Sequence, residues 1–264
     1  MELSIVDRMD YRTKKGFSSL LHFEVTDFAK VLSKDNEADR YFLKEGRENN
    51  GYFVINKDGY LGKYNDTNNK SFGIRLSIDR NNNLKDKSSI VYGTYPQSVV
   101  GDKLAEELEQ RYQNQELLKT NCSYTIDKNR DYGWAFDSKK LNEYFYADNR
   151  YVRIDLDHSI KLNNKIYNHN MWFRVEPVNW VVLDNKIVSE KVLLSGISYN
   201  DIWGMPKNFR ESFLYTYIND YLKKEMFREN EIKIDKEVKN TDTSLSVSKK
   251  MNDIKVRIKK LKCN

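Results

Sequence analysis

From residue 51 to residue 198 the chain is a succession of short apolar runs, most of them too short for a helix and closed by Gly, Asn, Asp or Lys. That pattern constrains the fold more than any other feature, because short runs bounded by turn residues are what strands require. GYFVIN and YLGKY (51–64) flank Lys57-Asp58-Gly59, and Asp-Gly supplies the positive-φ residues of a tight hairpin. SFGIRLSI (71–78) alternates, with Phe72, Ile74, Leu76 and Ile78 inward and Arg75 and Ser77 outward. Arg75 on that polar face is read as architectural, its guanidinium binding backbone carbonyls or a carboxylate. SSIVYGTYP, YVRIDL, KIYN, WFRV, NWVVLD and VSEKVLLS continue the series, with a second hairpin turn at Asp184-Asn185.

Three segments carry helical spacing instead. VTDFAKVL (25–32) puts Val25, Phe28, Ala29 and Leu32 on one stripe, with Thr26 or Asp27 as cap. The stretch 101–119 buries Leu104, Leu108, Tyr112 and then Gln115 or Leu118, with Asp102 as N-cap. The stretch 209–227 is the most apolar: Phe213, Leu214, Tyr217, Ile218, Tyr221 and Leu222 form a wide stripe, with Lys223-Lys224 near its end. Strands and helices together make an α+β protein. With 18 Tyr, 12 Phe, 4 Trp and only three prolines, the chain has the aromatic content of a packed body.

Charge is unevenly placed. Residues 231–264 hold 10 Lys and Arg against 5 Asp and Glu, whereas residues 1–230 hold 35 against 34. The net charge of +6 therefore belongs mostly to the C-terminal region. There Ile254, Val256 and Ile258 alternate with Lys255, Arg257 and Lys259, the pattern of a late strand with a basic outer face. No apolar run is long enough to span a bilayer, and the first residues lack the features of a signal peptide. Cys122 and Cys263 offer no disulfide framework, so the expected location is the cytoplasm.

The stretch WFRVEPVNWVVL (172–183) approaches the Glu-Pro-Asn sugar-binding signature of calcium-dependent lectins. Val178 interrupts it, however, and an apolar run follows Trp180 where further oxygen ligands are needed, so it reads as a core strand. DKNRDYG (127–133) imitates a calcium loop through Asp127, Asn129 and Asp131, but Tyr132 occupies the glycine position and Ser138 the bidentate glutamate position. IDLDHS (154–159) reads as a solvated strand end. No nucleophile–base pair and no glycine-rich phosphate loop is legible, so no catalytic residue, metal or cofactor is assigned.

Two groups of motifs together resemble a known domain. Gly93-Thr94-Tyr95-Pro96-Gln97, WFRVEPVNWVVL, VLLSGISYN and FLYTYINDYLKKEMF resemble the first part of a bacterial and phage domain of unknown function. That domain is related to the formylglycine-generating-enzyme and C-type-lectin-like fold. GFSSL, VTDFAK, YFLKEG, NGYFVINKDGYLGKYN and SFGIRLSI resemble its second part, yet here they come first. The resemblance implies a circular permutant: 1–80 as the C-terminal half, 81–89 a linker, 90–230 the N-terminal half, and 231–264 a basic tail. MNDIKVRIKK (251–260) looks like the joining strand. A pair of incomplete domains exchanged between subunits of a homo-oligomer satisfies the same order. The copper-binding cysteine pair of formylglycine-generating enzymes has no counterpart.

On this reading the protein is a non-catalytic module that binds a protein or glycan partner. The interface is expected in the stretch 120–150, which lacks clear periodicity, through Tyr132, Trp134, Phe136, Tyr144, Phe145 and Tyr146. The alternative is a phage or mobile-element regulator of a nucleic-acid-targeting complex. It would touch nucleic acid or ribonucleoprotein through Lys249, Lys250, Lys255, Arg257, Lys259, Lys260 and Lys262.

Overall fold

A computed structural model describes residues 2–7, 23–47, 51–64, 69–79, 88–128, 136–183, 186–200 and 208–227. The protein is α+β, with mostly antiparallel sheets and few helices. Its longest strand, β12 (Asn170–Leu183), organises the rest. Along one side of β12 runs β6 (Ser89–Val99), from Phe173 opposite Val99 to Val181 opposite Ser89. The other side is shared between two wings. Met171 and Phe173 pair with Ile154 and Val152 of β9 (Asn149–Asp155), followed by β8 (Ser138–Tyr146) and β7 (Leu118–Asp127). Trp180 and Val182 pair with Ser189 and Ile187 of β13 (Lys186–Ser189), followed by β5 (Leu76–Asp79) and β1 (Leu3–Ile5). Strands before residue 80 and strands after residue 88 therefore belong to one eight-stranded sheet within a single chain.

A three-stranded sheet, β2 (Arg40–Arg47), β3 (Gly51–Asn56) and β4 (Leu61–Tyr64), forms a second layer. Its hairpin follows from local chemistry: Gly59 takes φ 79°, and the Asn56 side chain accepts from the N–H groups of Asp58 and Tyr60. Tyr41, Leu43, Phe53 and Ile55 pack against Val181, Leu183, Val188 and Val192, which covers the second face of the β13 wing. This layer corrects the reading of Arg75. The side chain is not outward but 1% exposed, because a second layer lies over the polar face. Its guanidinium donates to the carbonyls of Ser189 (3.0 Å) and Glu190 and lies over the Tyr41 ring, the architectural role expected. The two hairpin strands β10 (Ile160–Leu162) and β11 (Lys165–Tyr167) complete the strand set.

Helix α1 (Asp27–Leu32) begins at Thr26, whose hydroxyl accepts from Ala29 N–H. Helix α2 (Asp102–Gln113) ends earlier than the apolar spacing suggests. Gly101, not Asp102, is its cap; Gln115 turns the chain at φ 59°, and Leu118 opens β7 with 59% exposure rather than closing a helical stripe. The C-terminal segment comprises a 3₁₀ turn (Phe209–Glu211), α3 (Phe213–Tyr217), a π-turn (Ile218–Leu222) and α4 (Lys223–Met226). Leu214, Tyr217, Ile218, Leu222 and Met226 are fully buried there, in the same core cluster as Leu3, Phe28, Tyr95, Tyr124, Phe173 and Trp180. Replacing any of these large side chains by alanine costs about 2–5 kcal/mol.

Candidate functional site

The lectin-like Glu-Pro stretch and the Gly93–Gln97 motif are bonded to each other. Pro177 faces Thr94, Glu176 faces Tyr95 and Val175 faces Pro96 across the β12–β6 ladder, with irregularities on either side of this short register. Glu176 Oε2 accepts from Ser98 N–H (3.1 Å) and Ser98 Oγ (2.7 Å), so the carboxylate fixes the bend. Gln97 Nε2 donates to the carbonyls of Glu176 (3.2 Å) and Pro177 (2.9 Å), satisfying backbone acceptors that the bulged ladder leaves over. Trp180 donates to Tyr92 O (2.7 Å) and stacks on Phe227. Gly93 sits at φ 74°, and a Cβ there would lie 2.7 Å from the Phe227 ring. This region is scaffold, built to seat the C-terminal helical segment.

The six aromatics expected to form one interface are dispersed. Tyr132 and Trp134 lie outside the described residues. Phe136 packs on Phe213, Tyr217 and Tyr221 of the helical segment. Tyr144 meets Tyr112 and Trp172 beneath α2, and Tyr146 donates to Glu107 of that helix. Phe145 points to the opposite face, directly across from exposed Leu118. The described residues of the stretch 120–150 are not irregular, as its lack of periodicity suggested, but form the paired strands β7 and β8 and the start of β9. Cover on both faces hides the alternation, in β8 and at the end of β7 where Tyr124, Thr125, Ile126 and Asp127 are all buried. Helix α2 is locked to the sheet where Glu109 accepts from Arg153 Nε (2.9 Å), Arg153 Nη2 (3.0 Å) and Trp172 Nε1 (3.0 Å).

Asp127, the first residue of the calcium-loop imitation, is instead paired with Lys70 at 2.7 Å in the interior. Asp155 is an exposed strand end paired with Arg153. Among the described residues no group of three or more His, Cys, Asp or Glu is placed to hold a metal ion. None of their helices is long and apolar enough to cross a membrane. The basic tail, Lys249 to Lys262, lies outside the described residues, as does the expected late strand.

A buried polar layer is what sequence reading missed. Glu143, 0% exposed, sits opposite the β7 bulge and accepts from Thr120 Oγ1 (3.1 Å) and Tyr124 Oη (2.7 Å), with Arg150 at 3.5 Å. Farther along β7, Thr125 turns its backbone outward to the helical segment. Glu225 Oε1 accepts from Thr125 N–H (2.8 Å) and Oγ1 (2.6 Å), while Tyr217 Oη donates to Thr125 O. Burial pushes the Glu225 carboxyl up to about 7, against the hydrogen bonds from Thr125 that favour its charged form. Burial raises the Tyr95 and Tyr217 phenols as well. The same helical segment holds the other outer strand: Leu3 N–H donates to Asn219 Oδ1 and Asn219 Nδ2 donates to Leu3 O, both at 3.0 Å. The readable signal for these groups is a carboxylate on an apolar face: Glu143 between Leu141 and Phe145, and Glu225 one turn beyond Leu222.

Chemically, Glu225 and Tyr217 hold the Thr125 backbone of β7 and Asn219 holds that of Leu3 in β1, while the Leu118 end of β7 faces outward. Comparison with protein-family models, curated proteins and solved structures found no match for this chain.

Proposed function

We propose that the chain is a non-catalytic binding module on a C-type-lectin-like, formylglycine-generating-enzyme-like scaffold that is circularly permuted. The permuted reading is supported by the pairing of Ile78 with Ile187, which joins the front segment to the strands that follow residue 88 in one sheet. The binding reading rests on one observation. Leu118, 59% exposed, lies across from Phe145 at the end of an outer strand whose other half is clasped by the helical segment. An apolar side-chain pair beside unextended strand backbone suits a protein partner that adds a strand, with side-chain pockets setting specificity.

The test is a titration. Components retained from the native host by the immobilised protein are identified, purified and measured against wild type and a Leu118→Asp, Phe145→Ser variant. A loss of roughly tenfold or more in affinity at unchanged melting temperature supports the reading. Unchanged affinity, or retention of glycans alone, removes the patch as the interface.

The uneven charge favours a second reading, in which residues 249–262 contact nucleic acid or ribonucleoprotein. Phosphate-led binding through six or more contacts weakens on the order of a thousandfold between 50 and 200 mM salt. A flat salt response, or one unaffected by deleting residues 249–264, rejects it.

A further inference from the structure

Lysine is rarely buried in full without a partner, and Lys70 has a particular one. Its side chain is 5% exposed, that of Asp127 is 2% exposed, and Nζ stands 2.7 Å from Oδ2. Both groups are held from behind. Lys70 O accepts from Lys34 N–H (3.4 Å) and Gly196 N–H (3.2 Å), fixing the backbone that carries the amine. Asp127 ends β7 opposite Ser138, and its second oxygen, Oδ1, accepts from Asp137 N–H at 3.3 Å. An amine and a carboxyl carbon are thus presented to each other in the buried interior, with a backbone donor on the oxygen that does not face the amine.

We propose that Lys70 and Asp127 condense to an intramolecular isopeptide bond with release of one water. A proton first passes from Nζ to Oδ2 within the pair, a transfer that low polarity favours because it removes two charges at once. The Nζ lone pair then adds to Cγ, and the carbonyl electron pair moves onto Oδ1, where Asp137 N–H meets the developing charge. Collapse of this intermediate restores the carbonyl and breaks the Cγ–Oδ2 bond. Oδ2 takes a second proton from Nζ and leaves as water. Of the three ammonium hydrogens, one stays on the amide and two leave in the water, so no oxidant, reductant or outside reagent is needed.

Holding the two groups in contact supplies what a bimolecular amide formation lacks, since effective molarities in well-oriented pairs are very large. A second carboxyl lies on the same strand face. Asp127 and Thr125 are two residues apart on β7 and project to one side, and the Glu225 carboxyl is bonded to Thr125.

The experiment is an intact mass of the full chain under denaturing conditions, followed by peptide mapping. The expected mass is one water below that of the sequence, with a branched peptide joining Lys70 to Asp127. An Asp127→Asn variant, which keeps the side-chain volume, expels ammonia instead and converges on the same final mass as linked wild type. Lys70→Arg, whose guanidinium does not acylate under these conditions, keeps its full mass. Wild-type protein at the full sequence mass, or a water loss mapped to any other residue pair, overturns the proposal.

Discussion

At β1 the outer edge of the large sheet is met by a carboxamide, Asn219, which gives one hydrogen bond to Leu3 and takes one from it. At β7 the outer edge is met by a carboxyl and a phenol, Glu225 and Tyr217, which divide the same two tasks at Thr125. Both sets come from one helical segment, and both protect strand backbone from pairing with another chain. Their chemistry differs in one respect. An amide matches a donor and an acceptor without titrating, while a carboxyl matches a donor only as long as its own charge state is tolerated.

The largest effect should follow from loosening both clasps together. Leu222, fully buried within the π-turn, anchors the segment that carries Asn219 and Glu225. Leu222→Ala is expected to cost about 2–5 kcal/mol in urea denaturation, at all pH values alike. The next separates the clasps by pH. The folded-state carboxyl of Glu225 titrates at about 7 against an ordinary value of 4.5, so folding favours its protonated form. Its contribution is fully present below 4.5 and is lost as pH rises through about 7. At 1.36 kcal/mol per unit, the loss amounts to at most about 3 kcal/mol. Glu225→Gln should therefore match wild type near pH 4 and exceed it near pH 8; a variant that tracks wild type across that range would sink the assignment.

Asn219→Ala should cost about 1–2 kcal/mol, the expense of two unmatched backbone groups at β1, and by the same amount at pH 5 and pH 8. A pH-dependent loss there would erase the distinction between the edges. Leu118→Asp, on the part of β7 that neither clasp reaches, should change stability by less than about 0.5 kcal/mol, with any larger effect showing up as lost partner binding.

Where local chemistry decides an element, the residues announced it. Thr26 caps α1, Asp58-Gly59 turns a hairpin, and the apolar run after Trp180 makes a core strand instead of a calcium ligand set. Where a neighbouring layer decides it, the pattern misled. Arg75 and Ser77 alternate with apolar residues as an exposed face would, yet a second sheet buries them. Tyr124, Thr125, Ile126 and Asp127 are buried in succession because both faces of that end of β7 are covered, which erases a period of two. Gln115 reverses the chain at a positive φ without a glycine to signal it, so the helical reading runs on to residue 119, into the start of β7. The polar layer was hardest, because Glu143, Glu225 and Asp127 reveal their roles only through partners 19, 100 and 57 residues away.

That the same helical segment touches β1 and β7 has a consequence for synthesis. Leu3 leaves the ribosome well before its partner, since the amide that completes its hydrogen bonds is 216 residues downstream. Throughout elongation both margins of the growing sheet stand open, the condition under which nascent β proteins associate with one another. A ribosome stalled before Asn219 would release a chain with two adhesive borders, so the helical turns that carry Asn219 and Glu225 act as the step that makes the product safe to let go.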